Sequence, residues 1–394
     1  MYRIFLLMFL VLVFLACPTG ISELPLDPGM SAVELVKDMG LAVNIGNTLD
    51  SLNLTGVTAE TAWGNPSIGL PYIRYLKSLG YNTIRLPVSW ADYIDPDNYF
   101  IDGPRIRRVE TVVNWILQEG MYCILNTHHD ASPNIGDKSW IEKAALSPQQ
   151  EMQVKAKFAA LWRQITLRFL NASEKLVFEG MNEPQFDNIW NRFSNVGDKT
   201  NAYRLLNELN QLFVDTVRTY SLGSKYQNNR YLLVSGYWTD IDLTMDPLFK
   251  MPTDTMDDRL IISVHYYTPW DFAGGNTNTW GTGPNHTVLN NQFNKLKTHF
   301  IDKGIPVILG EYSVNLDNFN NQGVSTGPKD SASRREWLLA VTQKCLDLGI
   351  CPVLWETGMR ANNRGMADIR RTTPFTISAD LRNVLDRLVW PQDD

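Results

Sequence analysis

Cysteine is scarce in this 394-residue chain: Cys17, Cys123, Cys345 and Cys351 are all it has. That excludes a disulfide-framed fold, which needs many paired cysteines to stand in for a core. Positive charge is not in excess either, since 36 Lys and Arg face 42 Asp and Glu. Nucleic acid and anionic membranes are therefore poor partners. No Ser/Pro-rich linker, low-complexity tract or repeated motif breaks the chain, so no appended module is expected. Long apolar runs are also missing. The stretch from Ile4 to Ala16, which follows the single basic residue Arg3, is too short to span a bilayer and fits the apolar region of an export signal. Residues 1–20 are thus expected to be a secretory signal peptide and 21–394 one catalytic domain of an extracellular protein. A membrane anchor, or lipid attachment at Cys17 on the cell surface, is the alternative. Without the leader, three cysteines remain, and whether Cys345 and Cys351 pair stays open.

What is present is an ordinary globular composition, 44% hydrophobic and 20% charged, with short β-branched runs alternating with longer amphipathic ones. That alternation is the pattern of parallel strands joined by helices. Eight strand candidates read in order: 41–47, 82–88, 122–128, 176–182, 231–237, 260–267, 306–312 and 351–357. Several intervening helix patterns stop at glycine, at Gly80, Gly120 and Gly349. Eight is the number that closes a parallel barrel, so a (β/α)8 TIM barrel is expected. An open doubly wound sheet is the competitor, but no G-x-G-x-x-G or phosphate loop follows any strand.

Each of the eight runs begins apolar and ends polar. "LVFEGMNEPQ", 176–185, is the clearest: Leu176, Val177 and Phe178 give way to Asn182, Glu183 and Pro184. In a parallel barrel such ends converge on one face, where sites are built. There the fourth and seventh strands would set Glu183 and Glu311 across a cleft. Two carboxylates flanking one bond are what glycoside hydrolysis needs, one ionised and one protonated. Arg85 and the hydroxyl of Tyr267 are placed to hold Glu311 ionised, which raises the proton affinity of Glu183. For any one of these residues alone, a charge solvating the barrel rim is the better reading; together they favour catalysis.

The pair His128 and His129, with Asp130 nearby, invites a metal reading. Neighbouring residues on a strand point to opposite faces, however, and the first strand offers no H-x-H, so no metal is expected. Twelve tryptophans are present. Trp115, Trp162 and Trp337 fall in helix patterns and read as packing. Trp63, Trp90, Trp140, Trp190, Trp238, Trp270, Trp280 and Trp355 fall in loops or at strand ends, where an indole can stack on a pyranose, and some of the eight are expected to pack the rim instead.

"NIGNTLD", "ETAWGNP", "IRLPVSW", "ILNTHHD", "FEGMNEP", "VHYYTPWDF" and "LGEY", in this order, resemble glycoside hydrolase family 5, and its subfamily 4 most closely. The resemblance covers nearly the whole chain after the leader. It implies a metal-free, cofactor-free monomer that cleaves the β-1,4-glucosidic bonds of cellulose-type, mixed-linkage or xyloglucan polysaccharide with retention of configuration. Residue by residue, it implies Glu183 as acid/base and Glu311 as nucleophile. Arg85, Asn182, His265 and Tyr267 match the supporting groups, and Asn47, His128, His129 and Trp355 the sugar-binding ones. This chain departs from the family pattern at Ala42–Val43–Asn44 in place of "GWN", at Asp130 in place of Glu, and at "WETG" in place of "WDNG". Those changes bear on which polysaccharide is taken. A β-mannanase on the same barrel, and a carbohydrate-binding barrel without hydrolysis, are the alternative readings.

Overall fold

The computed structural model describes residues 30–53, 55–131, 138–224, 230–359 and 365–391; the expected leader, with Cys17, lies outside them. Among the described residues, eight strands of one sheet come in this order along the chain, apart from three short two-stranded sheets: Ala42–Asn44 (β1), Thr83–Leu86 (β2), Tyr122–Asn126 (β3), Leu176–Glu179 (β4), Leu232–Ser235 (β5), Leu260–Tyr266 (β6), Val307–Tyr312 (β7) and Cys351–Leu354 (β8). Each pairs in parallel with the next, and β8 pairs back to β1, so the sheet is a closed barrel. All eight expected runs are strands; seven end short of the predicted boundary because the polar end turns into a loop, and the seventh runs to it, at Tyr312.

Helices return the chain after each strand, among them Leu70–Ser78, Gly103–Gln118, Pro148–Arg168, Lys199–Ser221, Gly283–His299 and Ser331–Asp347. The glycines expected to stop helices do so: Gly80 and Gly120 take φ of 93° and 75°, a left-handed backbone that side chains disfavour.

Strand alternation divides the core. One face of the strands packs under the helices, while Ala42, Ile124, Val177, Leu233, Ile261, Ile308 and Val353 face inward. A helix ahead of the barrel, Ala32–Asp38, adds Leu35 and Val36 to this inner cluster and closes the N-terminal end. Further along the same strands the interior turns polar. Asn44, Arg85, Asn126, Glu179 and Ser263 are all fully buried there. Strand apolar at one end, polar at the other: the sequence pattern becomes a plugged floor and a reactive mouth. The thiols of Cys123, Cys345 and Cys351 are buried and free, so Cys345 and Cys351 do not pair.

Candidate active site

Glu311 reaches the barrel interior by a break in alternation. Ile308 faces inward and Leu309 outward, so a regular strand would turn Glu311 out under the helices. The ladder instead skips Gly310: Val264 pairs with Leu309 but His265 pairs with Glu311. This bulge turns the carboxylate into the mouth, a known use of the device. Glycine suits the extra position, because a Cβ there would press on the site, 3.0 Å from both His265 Nε2 and Ser263 Oγ.

Arg85 organises the floor of the site. Its Nε and Nη2 donate to Glu179 at 2.7 and 3.1 Å, and its Nη1 donates to Glu311 Oε1 and Asn44 Oδ1, both at 2.9 Å. Nη2 also donates to Asn182 Oδ1 at 2.6 Å, which leaves the Asn182 amide hydrogens for the cleft. Burial opposes the arginine's charge, but Glu179 and Glu311 outweigh it and hold the guanidinium protonated. Glu311 takes a second bond from the Tyr267 hydroxyl, 2.9 Å from Oε2. Glu183 has neither donor; its partner is His265 Nδ1 at 2.8 Å. An oxygen of Glu183, a ring nitrogen of His265 and an oxygen of Glu311 all lie within 4.8 Å of one another.

These surroundings separate the two carboxyls. Burial pushes Glu183 up to about 7, with Arg85 and Arg192 pulling against it. Burial raises Glu311 as well, but the Arg85 charge and the Tyr267 hydroxyl lower it. Since Arg85 and Tyr267 both touch Glu311, it ionises first and the shared proton stays on Glu183. His265, pressed down to about 4 by burial, is a neutral imidazole in this pair rather than a cation.

Around the carboxylates lies a cleft of about 640 Å³, lined by His128, His129, Trp238, Trp270 and Trp355 among others. The Asn126 amide lies 3.1 Å from His128 Nδ1, while its oxygen accepts from the Val88 N–H. Nδ1 is therefore the acceptor, and the Nε2 proton points toward Glu311, 4.0 Å away. The His128 ring stacks on Trp355 at 5.4 Å, nearly parallel. Gly46 permits this, because a Cβ there would come within 2.9 Å of the indole. Asn47 is not among the cleft-lining side chains; it turns the chain at φ 57°, its N–H held by Asp50. Glu356 also stays out of the cleft, accepting from Gly358, Ile369 and Arg371.

Two expectations need correction. His128 and His129 do not face opposite ways: their ring centroids are 4.5 Å apart, and both rings come close to Asp50. β3 stops at Asn126 and His129 opens a tight helical turn, so the strand period does not reach them. That carboxylate is already occupied by the N–H groups of Asn47 and Thr48. The tryptophan platforms are also fewer than expected. Trp90, Trp140, Trp190 and Trp280 are buried, because loops over a barrel mouth pack on one another and a loop position is not an exposed one. Trp90 and Trp140 support the site from behind, donating to Asn126 O and Asp130 Oδ1. One face of Trp238, strained at φ 57°, is covered by Arg192 at 3.5 Å. Trp355 and Trp270 are the open rings of the cleft; Trp63 is half-buried beside the His129 ring, 5.7 Å away, and does not line it.

Glu179 is the residue that sequence reasoning passed over. Its signal was there, a charge inside the apolar run "LVFEG", and in the barrel it meets the Arg85 guanidinium of the second strand.

A closed barrel with paired carboxyls of split proton affinity, in a mouth edged by open indoles, defines a glycoside hydrolase. A family model described as cellulase, glycosyl hydrolase family 5, matches residues 45–363, and the chain belongs to that family. It is 32% identical to endoglucanase A of Paenibacillus barcinonensis, over 91% of this chain and 90% of that protein. Among solved structures, a GH5-4 broad specificity endoglucanase from an uncultured bovine rumen ciliate superposes with TM-score 0.77 at 33% identity, covering 90% of this chain and 97% of that one. A family 5 xyloglucanase from Paenibacillus pabuli superposes at 0.75 with 32% identity, covering 89% and 98%. This chain is therefore an endo-glucan hydrolase, and its likeness to subfamily 4 extends to structure.

Proposed function

We propose that the protein is an exported endo-β-1,4-glucanase that works with retention, with Glu311 as nucleophile and Glu183 as acid/base. The carrying observation is the spacing and asymmetry of the pair: their oxygens approach within 4.8 Å, and of the two carboxylates only Glu311 accepts from Arg85 and Tyr267. Retaining glycosidases hold their carboxyls roughly 5 to 5.5 Å apart, and inverting ones leave room for a water between. Glu311 attacks the anomeric carbon while Glu183 passes its proton to the leaving oxygen. The glycosyl–Glu311 ester then forms and the aglycone departs. Water next attacks the ester, giving its proton to the now ionised Glu183 and restoring both groups.

Neutral His128, the free Asn182 amide and the Trp355 face suit an uncharged sugar at the cleavage point. No step in this scheme passes through a metal. The names of the relatives, one broad in specificity and one a xyloglucanase, support substrates of the cellulose, mixed-linkage and xyloglucan group. The apolar leader supports export of residues 21–394.

Purified protein is expected to release reducing ends from β-glucan and xyloglucan in a panel that also holds glucomannan and xylan. The profile of kcat/KM should be bell-shaped. It falls as pH rises through about 7, where Glu183 loses the proton it must donate. It falls again as pH drops through the raised value of Glu311, where the nucleophile is capped. Release from none of the β-glucans would end this reading, and preference for glucomannan alone would move it to a mannanase.

A further inference from the structure

A second cleft opens beside the first. It measures about 840 Å³, in the range of small-molecule sites, and lies between segments 270–277 and 315–323, with Gly365 at its edge. Trp270 lines both clefts, so its indole is the partition between them. Trp270 is 61% exposed, and its ring stands edge-on to Tyr267, whose hydroxyl holds Glu311. A glycan in the catalytic cleft therefore lies one ring's width from the second.

The walls are built rather than loose. Asn315 N–H donates to Ala273 O at 2.9 Å and its side-chain amide to Gly274 O at 3.0 Å. Lys329, buried behind them, donates to Thr277 O at 2.9 Å and Asn318 Oδ1 at 2.8 Å, tying the two segments together. Asn276 Oδ1 takes a bond from Thr326 at 2.7 Å. This leaves the Asn276 amide hydrogens and Asn315 Oδ1 as a donor and an acceptor for something else, the pairing a sugar hydroxyl satisfies. Phe319 and Trp270 add aromatic faces, and the sole charged side chain among the described lining residues is Asp271. Amides plus aromatics with almost no charge suit a neutral polyol and reject an anion.

We infer that this side cleft, partitioned from the catalytic cleft by Trp270, is a second carbohydrate site that takes a neutral glycosyl residue of the bound glucan. The inference rests on the endo-glucanase reading. The residue comes from one of two sources, a branch on the backbone or the backbone's own continuation. Thr277→Trp fills the cleft, Phe319→Ala removes an aromatic wall, and neither residue lines the catalytic cleft.

Steady-state kinetics on xyloglucan, unbranched mixed-linkage glucan and a short chromogenic cello-oligosaccharide separate the cases, with thermal midpoints checking that each variant is folded. KM for xyloglucan is expected to rise about three- to tenfold in both variants, the size of one lost aromatic contact, with the short substrate unchanged. A rise on xyloglucan alone identifies a branch; a rise on both polymers identifies the backbone. If neither polymer responds in folded variants, or the short substrate suffers equally, the side cleft is not a sugar site. Wild-type turnover of the unbranched glucan tests the underlying reading by itself, so the two failures are distinguishable.

Discussion

Glu311→Gln is expected to lose kcat by on the order of 10⁴-fold or more, the scale seen when a nucleophile is removed from a group that acts as a unit. The fold should survive the change. Glutamine keeps the shape, its carbonyl can accept from Arg85 Nη1, and its amide can donate to the Tyr267 oxygen in place of the present bond. The thermal midpoint and the affinity for cello-oligosaccharides should therefore stay near wild type while turnover stops. Glu183→Ala should behave differently. A substrate whose leaving group needs no proton should still form the glycosyl–Glu311 ester, and added azide should then restore its breakdown. Wild-type turnover in Glu311→Gln would remove Glu311 from the reaction.

Arg85→Met is expected to damage stability and activity together. The guanidinium is completely buried, with Glu179 on one side and Glu311 on the other. Taking out one partner of a buried charge network leaves the others uncompensated, at a cost of about 3–5 kcal/mol. Lysine should not rescue it, since one ammonium cannot reproduce a planar fork that reaches Glu179, Glu311, Asn44 and Asn182 at once. Adding Glu179→Gln to Arg85→Met should recover part of the stability, because it removes one of the stranded carboxylates. It should not recover turnover, because Glu311 still lacks the cation that favours its ionised form. Additive losses in this double-variant cycle, measured by denaturant unfolding, would show that Arg85 and Glu179 do not act as a unit.

The barrel was legible because it rests on a one-dimensional signal. Apolar runs such as "YCILN" and "LLVS" form buried strands wherever they occur, and their polar ends all emerge on the same face. Glu183 and Asn182 follow from that signal, since they lie just beyond a strand. Glu311 was found by resemblance and strand position, but how it points inward was not, because the bulge at Gly310 depends on the neighbouring strands and leaves strand periodicity broken. Glu179 was missed for a related reason: a carboxylate within an apolar run has meaning only once Arg85 is known to face it. The histidine pair and the buried tryptophans were misjudged where strand rules were carried into loops. There, what a side chain meets is decided by other loops far away in the chain, as when Trp140 reaches Asp130 and Trp355 lies over Gly46.

The central claim is that Glu183 and Glu311 work as a retaining pair, and the anomeric configuration of the first-formed product tests it most directly. Proton NMR during rapid hydrolysis of a β-glucan oligosaccharide, before mutarotation, should show the β-anomer of the new reducing end appearing first, with the α-anomer growing in only afterward. An α-anomer appearing first would mean that water, not Glu311, attacks the sugar, and would contradict the account.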